Sequence, residues 1–489
     1  MKSIVEQIFI YAKENPQKEA LKDGKDVMTY GELIDRIRID KIILSKWYHL
    51  NANDSLIIAA DKQMSFITIY FACHILGVTV LPIAPDTNDK RFQLIYHKVQ
   101  PKLVIGFDAK GIECQKASLG DFENAAENMV LDNDLVEFPD LSNVADIMFT
   151  TGTTGEPKGV QLTQRNLAAA ARNINTFIGN KSTDVEMLAL PVSHSFGLGR
   201  MRCALSNGQT LVLLGSFANM KKFFRFIDEF HVTGYGMVPA SWAMIKKLSG
   251  LKIKEYASQL RYIEIGSSPM PMEEKRTLTE NLPNTRICMH YGLTEASRSA
   301  FIEFHEQYDY LDTVGKQSPN MFIEIRDEDG IKVSNGIEGE ICVRGEAVFS
   351  GYYEMPDENK KSFWGEYFRT GDWGTMDDDG YIRLVSRKKE LINVGGKKVS
   401  PIEVEEVLAK IEGVKDCVCV GVSDPEKVLG EVVKAYIVAD DPSCISFDEV
   451  KKKLMHSLED YKVPMLYEFI DAVPKTSSGK VQRLSLKKS

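Results

Sequence analysis

The chain has 489 residues, 44% of them hydrophobic and 26% charged, the balance of an ordinary water-soluble protein long enough for two or three domains. Its 60 basic and 69 acidic side chains give a formal net charge of −9 with no long basic stripe, which excludes a general nucleic-acid binder. The eight cysteines are scattered and contain no Cys-x-x-Cys pair, as expected of a cytoplasmic protein in a reducing compartment.

Residues 1–16 mix Lys2, Glu6, Lys13 and Glu14 with apolar positions at helical spacing, unlike a secretory signal. Strands are then predicted over 56–60, 78–83 and 103–107, alternating with helices over 65–76 and 89–99, the mark of parallel βαβ units. Residues 66–85 carry no Asp, Glu, Lys or Arg over a length that could nominally span a bilayer. Gly77 and Pro82 interrupt that run, so it reads as a buried helix followed by a buried strand and no transmembrane segment is expected. The polar stretch 111–140 reads as connecting structure, and 145–149 as a buried strand.

Directly after that strand comes Thr150-Thr151-Gly152-Thr153-Thr154-Gly155-Glu156-Pro157-Lys158-Gly159, ahead of a threonine-capped, alanine-rich helix predicted over 163–177. Glycines let backbone N–H groups converge on one point, threonine hydroxyls add donors and Lys158 adds a positive charge, which together suit a seat for phosphate. It is not an ordinary P-loop, because Glu156 and Pro157 separate Gly155 from the lysine and no hydroxyl residue follows it. Alone, the stretch could also be a flexible surface loop.

Further strands are predicted over 186–190, 211–214, 235–238 and 262–265. After about residue 322 the pattern turns hairpin-like, with Asp329-Gly330 and Asp379-Gly380 turns. The expected fold is therefore α/β: a large N-terminal domain of layered βαβ sheets, residues 1–386, with a small β-rich subdomain over 322–386. A small mobile α+β C-terminal domain is expected over 390–489. There Ser400 and Glu403 form a capping box with Pro401 at the first helical position, Ser446 and Glu449 mark a second helix, and Lys451–Lys453 reads as a solvated helix face. Strands are predicted over 414–422 and 432–438, with Cys417 and Cys419 alternating as small core residues. The charged run Arg387-Lys388-Lys389 marks the boundary.

Six stretches together resemble the signatures of the adenylate-forming (AMP-binding) superfamily, closest to its acyl-CoA synthetases and other acid–thiol ligases. Besides the Thr/Gly loop these are Pro191-Val192-Ser193-His194-Ser195-Phe196-Gly197, Gly266-Ser267-Ser268-Pro269, Tyr291-Gly292-Leu293-Thr294-Glu295, Arg369-Thr370-Gly371-Asp372, and Pro474 through Arg483. Ser386 through Glu405 also follows the family pattern, so the likeness spans nearly the whole chain.

The resemblance implies an enzyme that activates a carboxylic acid with ATP as an acyl-adenylate and passes the acyl group to a thiol, with Mg²⁺ and CoA as further requirements. It implies that Thr150, Thr151, Gly152, Thr153, Thr154 and Lys158 hold the β- and γ-phosphates. Glu295 would bind magnesium, Thr294 would contact phosphate, Tyr291 would stack on adenine, and Gly266, Ser267 and Ser268 would surround the base. Asp372 would accept both ribose hydroxyls, with Arg387 as a second ribose contact. Lys480 would bridge the acid and the phosphate, His194 would orient the acyl carboxylate, Lys389 would be the hinge, and Gly395 and Gly396 would line the thiol passage.

Read without the resemblance, several of these residues have plain alternatives: Glu295 as an acid at a helix start, Tyr291 as core, Arg387 in a surface salt bridge. An acyl-AMP ligase that loads a separate acyl carrier protein through its phosphopantetheine fits the same motifs, and a luciferase-like oxygenase fits less well. A catalytically silent nucleotide-binding protein on the same fold is the alternative of another class; intact Lys480, Glu295, Asp372 and Arg387 disfavour it. His194-Ser195-Phe196-Gly197 offers no aspartate for an amino group, which lowers an α-amino acid substrate. Arg200, Arg202 and Arg298 fall where apolar residues are expected; charged side chains are by default surface residues, and the alternative is recognition of a polar or second carboxyl group.

Overall fold

A computed structural model describes residues 1–108, 111–126, 129, 131, 136–150, 157–439, 441–442, 445–475 and 481–487. By packing, the chain forms two compact units, one of residues 1–323 with 343–368 and one of residues 324–342 with 369–489.

The first unit is α/β, as the alternating pattern implied. Among the described residues it holds a nine-stranded sheet whose centre runs in the order Arg286–Tyr291, Tyr262–Ile265, Gly234–Met237, Val185–Leu188, Thr210–Leu213 and Glu19–Lys22, all parallel. Parallel strands of this kind are covered on both faces, and here the buried residues include two carboxylates, Glu186 and Glu264, as well as apolar side chains. Ala300–Glu303 continues the sheet antiparallel to Arg286–Tyr291, pairing Tyr291 with Ala300. The turn 292–299 between them carries Thr294 and Glu295.

A seven-stranded sheet in the same unit is built around Val144–Thr150, Thr79–Ile83, Ser55–Ala59 and Leu103–Ile105. Helix Met64–Leu76 is buried from Ser65 to Ile75 and leads through Gly77, at φ 70°, into Thr79–Ile83. The uncharged run is thus a core helix and strand. No helix among the described residues is long and apolar enough to cross a membrane. Within the polar stretch after residue 111 lie strand Gln115–Ala117 and helix Leu119–Ala126, whose Phe122 and Ala125 are buried.

Val144–Thr150 pairs antiparallel with Lys158–Thr163, setting Thr150 opposite Lys158 and Phe149 opposite Gly159. The second strand was not legible as one, because its charged first residue and its glycine left only Val160–Thr163 with a strand-like pattern. Helix Gln164–Ile178 follows, with Thr163 and Asn166 closing a capping box. The phosphate-loop candidates Thr151, Gly152, Thr153 and Thr154 lie in 151–156, between these two strands in sequence and outside the described residues.

In the second unit, Ile382–Arg387 runs antiparallel to the strand containing Asp372, with the two joined through the Asp379-Gly380 turn and Gly380 at φ 84°. A three-stranded sheet of Val414–Ser423, Glu431–Ala439 and Leu466–Phe469 packs against helices Pro401–Leu408 and Phe447–Met455. Cys417 and Cys419 are core residues, as their alternation predicted. Ser400 caps its helix by accepting from the Glu403 N–H, but its own hydroxyl donates to Val385 O at 2.6 Å, and the Glu403 carboxylate pairs with Lys462 at 2.7 Å. The capping box is therefore half formed, its acid drawn off by a nearby lysine. Ser446 sits at the start of the second helix without capping it through its side chain.

Candidate active site

In the first unit, Glu295 and Lys158 meet at one side chain. The Tyr352 hydroxyl donates to Glu295 Oε1 at 2.9 Å, and Lys158 Nζ lies 4.8 Å from the centre of the Tyr352 ring, within cation–π range. Lys158 also pairs with Glu358, from helix Pro356–Lys361. The Phe349 N–H donates to Glu295 O at 2.8 Å and the Tyr353 N–H to Gly159 O at 2.8 Å. One short segment, 349–358, therefore fixes both the strand that begins with Lys158 and the turn that carries Glu295.

No cluster of three or more His, Cys, Asp or Glu among the described residues could cage a metal ion. Glu295 is partly exposed, and the Tyr352 hydroxyl binds its Oε1.

The other predicted residues of this unit lie at the C-terminal ends of parallel strands, the edge where open α/β sheets bind ligands. Gly266, Ser267 and Ser268 follow Tyr262–Ile265. A Cβ at Gly266 would sit 2.1 Å from the His290 ring, so only glycine fits there, and Ser267 is held at φ 79°. Tyr291 ends its strand with 9% exposure. His194 is the exposed N-cap residue of helix Ser195–Ser206 and makes no side-chain cap to it.

Beneath these segments is a buried charge network that sequence reasoning placed on the surface. Arg200, fully buried, binds Glu186 through Nε at 2.6 Å and Glu264 through Nη1 at 3.0 Å. Arg298, 3% exposed, donates from Nε to Glu264 Oε1 at 3.0 Å, and His290 Nδ1 lies 2.7 Å from the same oxygen. Burial alone would raise the Glu264 carboxyl, but Arg298, His290 and Arg200 hold it below the usual carboxylate range; burial lowers His290 and favours its neutral form. Two guanidiniums thus balance two carboxylates. Arg202, 5% exposed, lies 3.3 Å from Asp146, which also accepts from the Tyr70 hydroxyl at 2.9 Å.

All three arginines are therefore internal, and the surface expectation is corrected. Glu186 and Glu264 neutralise Arg200 and Arg298, and Asp146 neutralises Arg202, each carboxylate coming from a separate strand, so no local pattern could have announced it.

In the second unit, Asp372 and Arg387 face each other across two strands, with Arg387 Nε 2.8 Å from Asp372 Oδ1. Asp372 is 3% exposed and its N–H donates to Thr370 Oγ1 at 3.1 Å. Gly395 and Gly396, at φ 57° and 87°, make the two-residue turn between Ile392–Val394 and Lys397–Val399. A Cβ at Gly395 would approach Leu429 Cδ2 to 3.1 Å. Lys389 comes two residues after the end of the strand that carries Arg387.

Lys480 lies in 476–480, outside the described residues. Its sequence neighbours are anchored: Lys475 and Val481 form an antiparallel bridge, Lys475 pairs with Asp416 at 2.6 Å, and Arg483 binds Glu390 at 2.8 Å and Glu405 at 2.6 Å. Tyr352 and Glu358 escaped the sequence reading because neither sits in a motif with a chemical signature of its own.

Comparison with known proteins accords with this geometry. The family model for AMP-binding enzymes matches residues 9–353, and that for the AMP-binding enzyme C-terminal domain matches residues 403–480. A 2-succinylbenzoate–CoA ligase of Bacillus velezensis is 30% identical over 484 residues, covering 96% of this chain and 95% of its own. An oxalate–CoA ligase of Arabidopsis thaliana is 29% identical over 96% of this chain and 95% of its own. The crystal structure of ATP-bound MatB from Rhodopseudomonas palustris superposes with a TM-score of 0.90 over 99% of this chain and 98% of its own, at 24% identity, and so shares the fold. The chain belongs to the AMP-binding enzyme family and is an adenylate-forming enzyme of the acid–CoA ligase type.

Proposed function

We propose that the enzyme joins a small carboxylic acid to CoA in two half-reactions at the residues described above. In the first, a carboxylate oxygen of the acid attacks the α-phosphorus of ATP, the bond to the bridging oxygen breaks, and pyrophosphate leaves. In the second, the thiol sulfur attacks the acyl carbonyl and AMP leaves. The observation that carries this reading is the pairing of Lys158 and Glu295 on Tyr352, which sets a cation and a hard-oxygen ligand on one side chain.

In this reading Thr150, Thr151, Gly152, Thr153, Thr154 and Lys158 grip the phosphate tail, and Thr294 adds a donor. Glu295 holds the magnesium ion, which neutralises phosphate charge when bound. Tyr291 and Gly266–Ser268 receive the adenine, and Asp372 with Arg387 the ribose. His194 orients the acid, and Lys480 bridges the attacking carboxylate and the α-phosphate. Rotation about Lys389 then exchanges Lys480 for the Gly395-Gly396 turn, past which the thiol enters. The seven described cysteines form no disulfide, in keeping with a cytoplasmic enzyme.

The relatives named above act on 2-succinylbenzoate and oxalate, and others are a feruloyl-CoA synthase and a 4-coumarate–CoA ligase-like protein. A panel of oxalate, 2-succinylbenzoate, ferulate, 4-coumarate and straight-chain acids, assayed by acid-dependent ATP–pyrophosphate exchange, identifies the substrate. Exchange is expected with one class of acid and is lost in Lys480→Ala; exchange that persists in that variant contradicts the role of Lys480. AMP release with CoA against a phosphopantetheinylated carrier protein decides the acceptor, CoA being the one expected.

A further inference from the structure

The Arg298 guanidinium is spent on backbone in a way that charge balance does not require. Nε serves Glu264, Nη1 donates to Ser297 Oγ at 3.0 Å and to Ser195 O at 3.3 Å, and Nη2 donates to Phe196 O at 3.2 Å. Ser195 and Phe196 are the first two residues of helix Ser195–Ser206, and His194 is its N-cap. Their carbonyls already lie at the start of the helix's own hydrogen-bond ladder, so the added bonds fix where the helix begins more than they satisfy it. The guanidinium carbon also lies 4.9 Å from the centre of the Phe196 ring.

Arg298 itself belongs to the turn 292–299, three residues after Glu295 and four after Thr294. It is held at φ 51°, a left-handed conformation that a non-glycine residue keeps only when its surroundings over-determine it. Space has been cleared for it: a Cβ at Gly199 would lie 2.7 Å from Nη1, and one at Gly292 would lie 2.5 Å from the Arg298 nitrogen. A buried guanidinium is costly, and an apolar side chain of like size would pack there more cheaply. What the arginine supplies, and an apolar residue could not, is a fixed link between two segments far apart in sequence.

We propose that Arg298 is a positioning residue for adenylation: it locks the helix start that carries His194 against the turn that carries Thr294 and Glu295. The proposal rests on the roles of His194 and Glu295 given above. Arg298 touches no substrate; its effect passes through the placement of those side chains, where a shift of about 1 Å costs about 10²-fold in rate.

The test is a double-mutant cycle between Arg298→Met and His194→Ala, read by ATP–pyrophosphate exchange with whichever panel acid the wild type exchanges fastest. Arg298→Met is expected to lower the exchange kcat about 10²-fold with the KM for ATP within about threefold, and to lower it less than about threefold further in the His194→Ala background. Gly199→Ala keeps every charge but crowds Nη1, is expected to show the same split between kcat and KM, and serves where Arg298→Met yields no folded protein. Losses that multiply in the double mutant, or a Gly199→Ala effect confined to the KM for ATP, overturn the proposal. Wild-type enzyme that exchanges with no acid overturns it together with the adenylation reading, and is seen before any variant is made.

Discussion

The Tyr352 hydroxyl donates to Glu295 Oε1 at 2.9 Å, so the carboxylate assigned to magnesium is aimed by a residue 57 positions away. A free glutamate on a turn would sample several rotamers. Here one of its oxygens is held by the Tyr352 hydroxyl. The same ring lies under Lys158, so movement of Tyr352 disturbs both Lys158 and Glu295.

Tyr352→Phe should therefore weaken magnesium binding more than folding. Loss of a hydrogen bond to a charged acceptor is worth about 1.5–3 kcal/mol, so the magnesium concentration for half-maximal pyrophosphate exchange should rise by about tenfold to about 100-fold. A magnesium titration at saturating ATP checks this; an unchanged midpoint would separate Glu295 from the metal.

Gly266→Ala should impair nucleotide binding and stability together. The added methyl would lie 2.1 Å from the His290 ring, whose Nδ1 is 2.7 Å from Glu264, so the ring cannot yield without disturbing a buried carboxylate. Overpacking of this kind costs about 1–3 kcal/mol. Thermal unfolding with and without ATP should show a lower midpoint and a smaller ATP-induced rise than in the wild type.

Asp40 gives the first unit a pH signature. It is fully buried in helix Tyr30–Lys46, and burial, partly offset by Arg36 at 3.0 Å, pushes its carboxyl up to about 6 from 3.8. The folded state thus binds a proton more tightly than the unfolded chain, so stability from this group is fully present below about pH 3.8 and lost as pH rises through about 6. A shift of about two units corresponds to about 3 kcal/mol. Asp40→Asn, which cannot ionise, should remove that decline, so the difference in urea midpoint between variant and wild type should move in favour of the variant from pH 4 to pH 7.

Much of this was legible in sequence because it is periodic or chemically distinctive. Helix Met64–Leu76 followed by Thr79–Ile83 showed itself as an uncharged run broken at Gly77, and Asp89–Val99 was bounded correctly from its pattern. The fate of Arg200, Arg202 and Arg298 was not legible, because burial depends on Glu186, Glu264 and Asp146 arriving from other strands. Tyr352 was missed for the same reason: a tyrosine acquires a role at a carboxylate only when folding brings the two together. Motifs give the chemistry; the side chains that aim it come from tertiary contacts.

The identity of the nucleotide products is the most direct test of the central claim, that the Thr/Gly loop holds a departing pyrophosphate and the acid is activated at the α-phosphate. Purified enzyme with ATP, magnesium, CoA and the acid found by exchange should yield AMP and pyrophosphate in equal amounts with the thioester, resolved by anion-exchange chromatography. Release of ADP and inorganic phosphate in their place would contradict it.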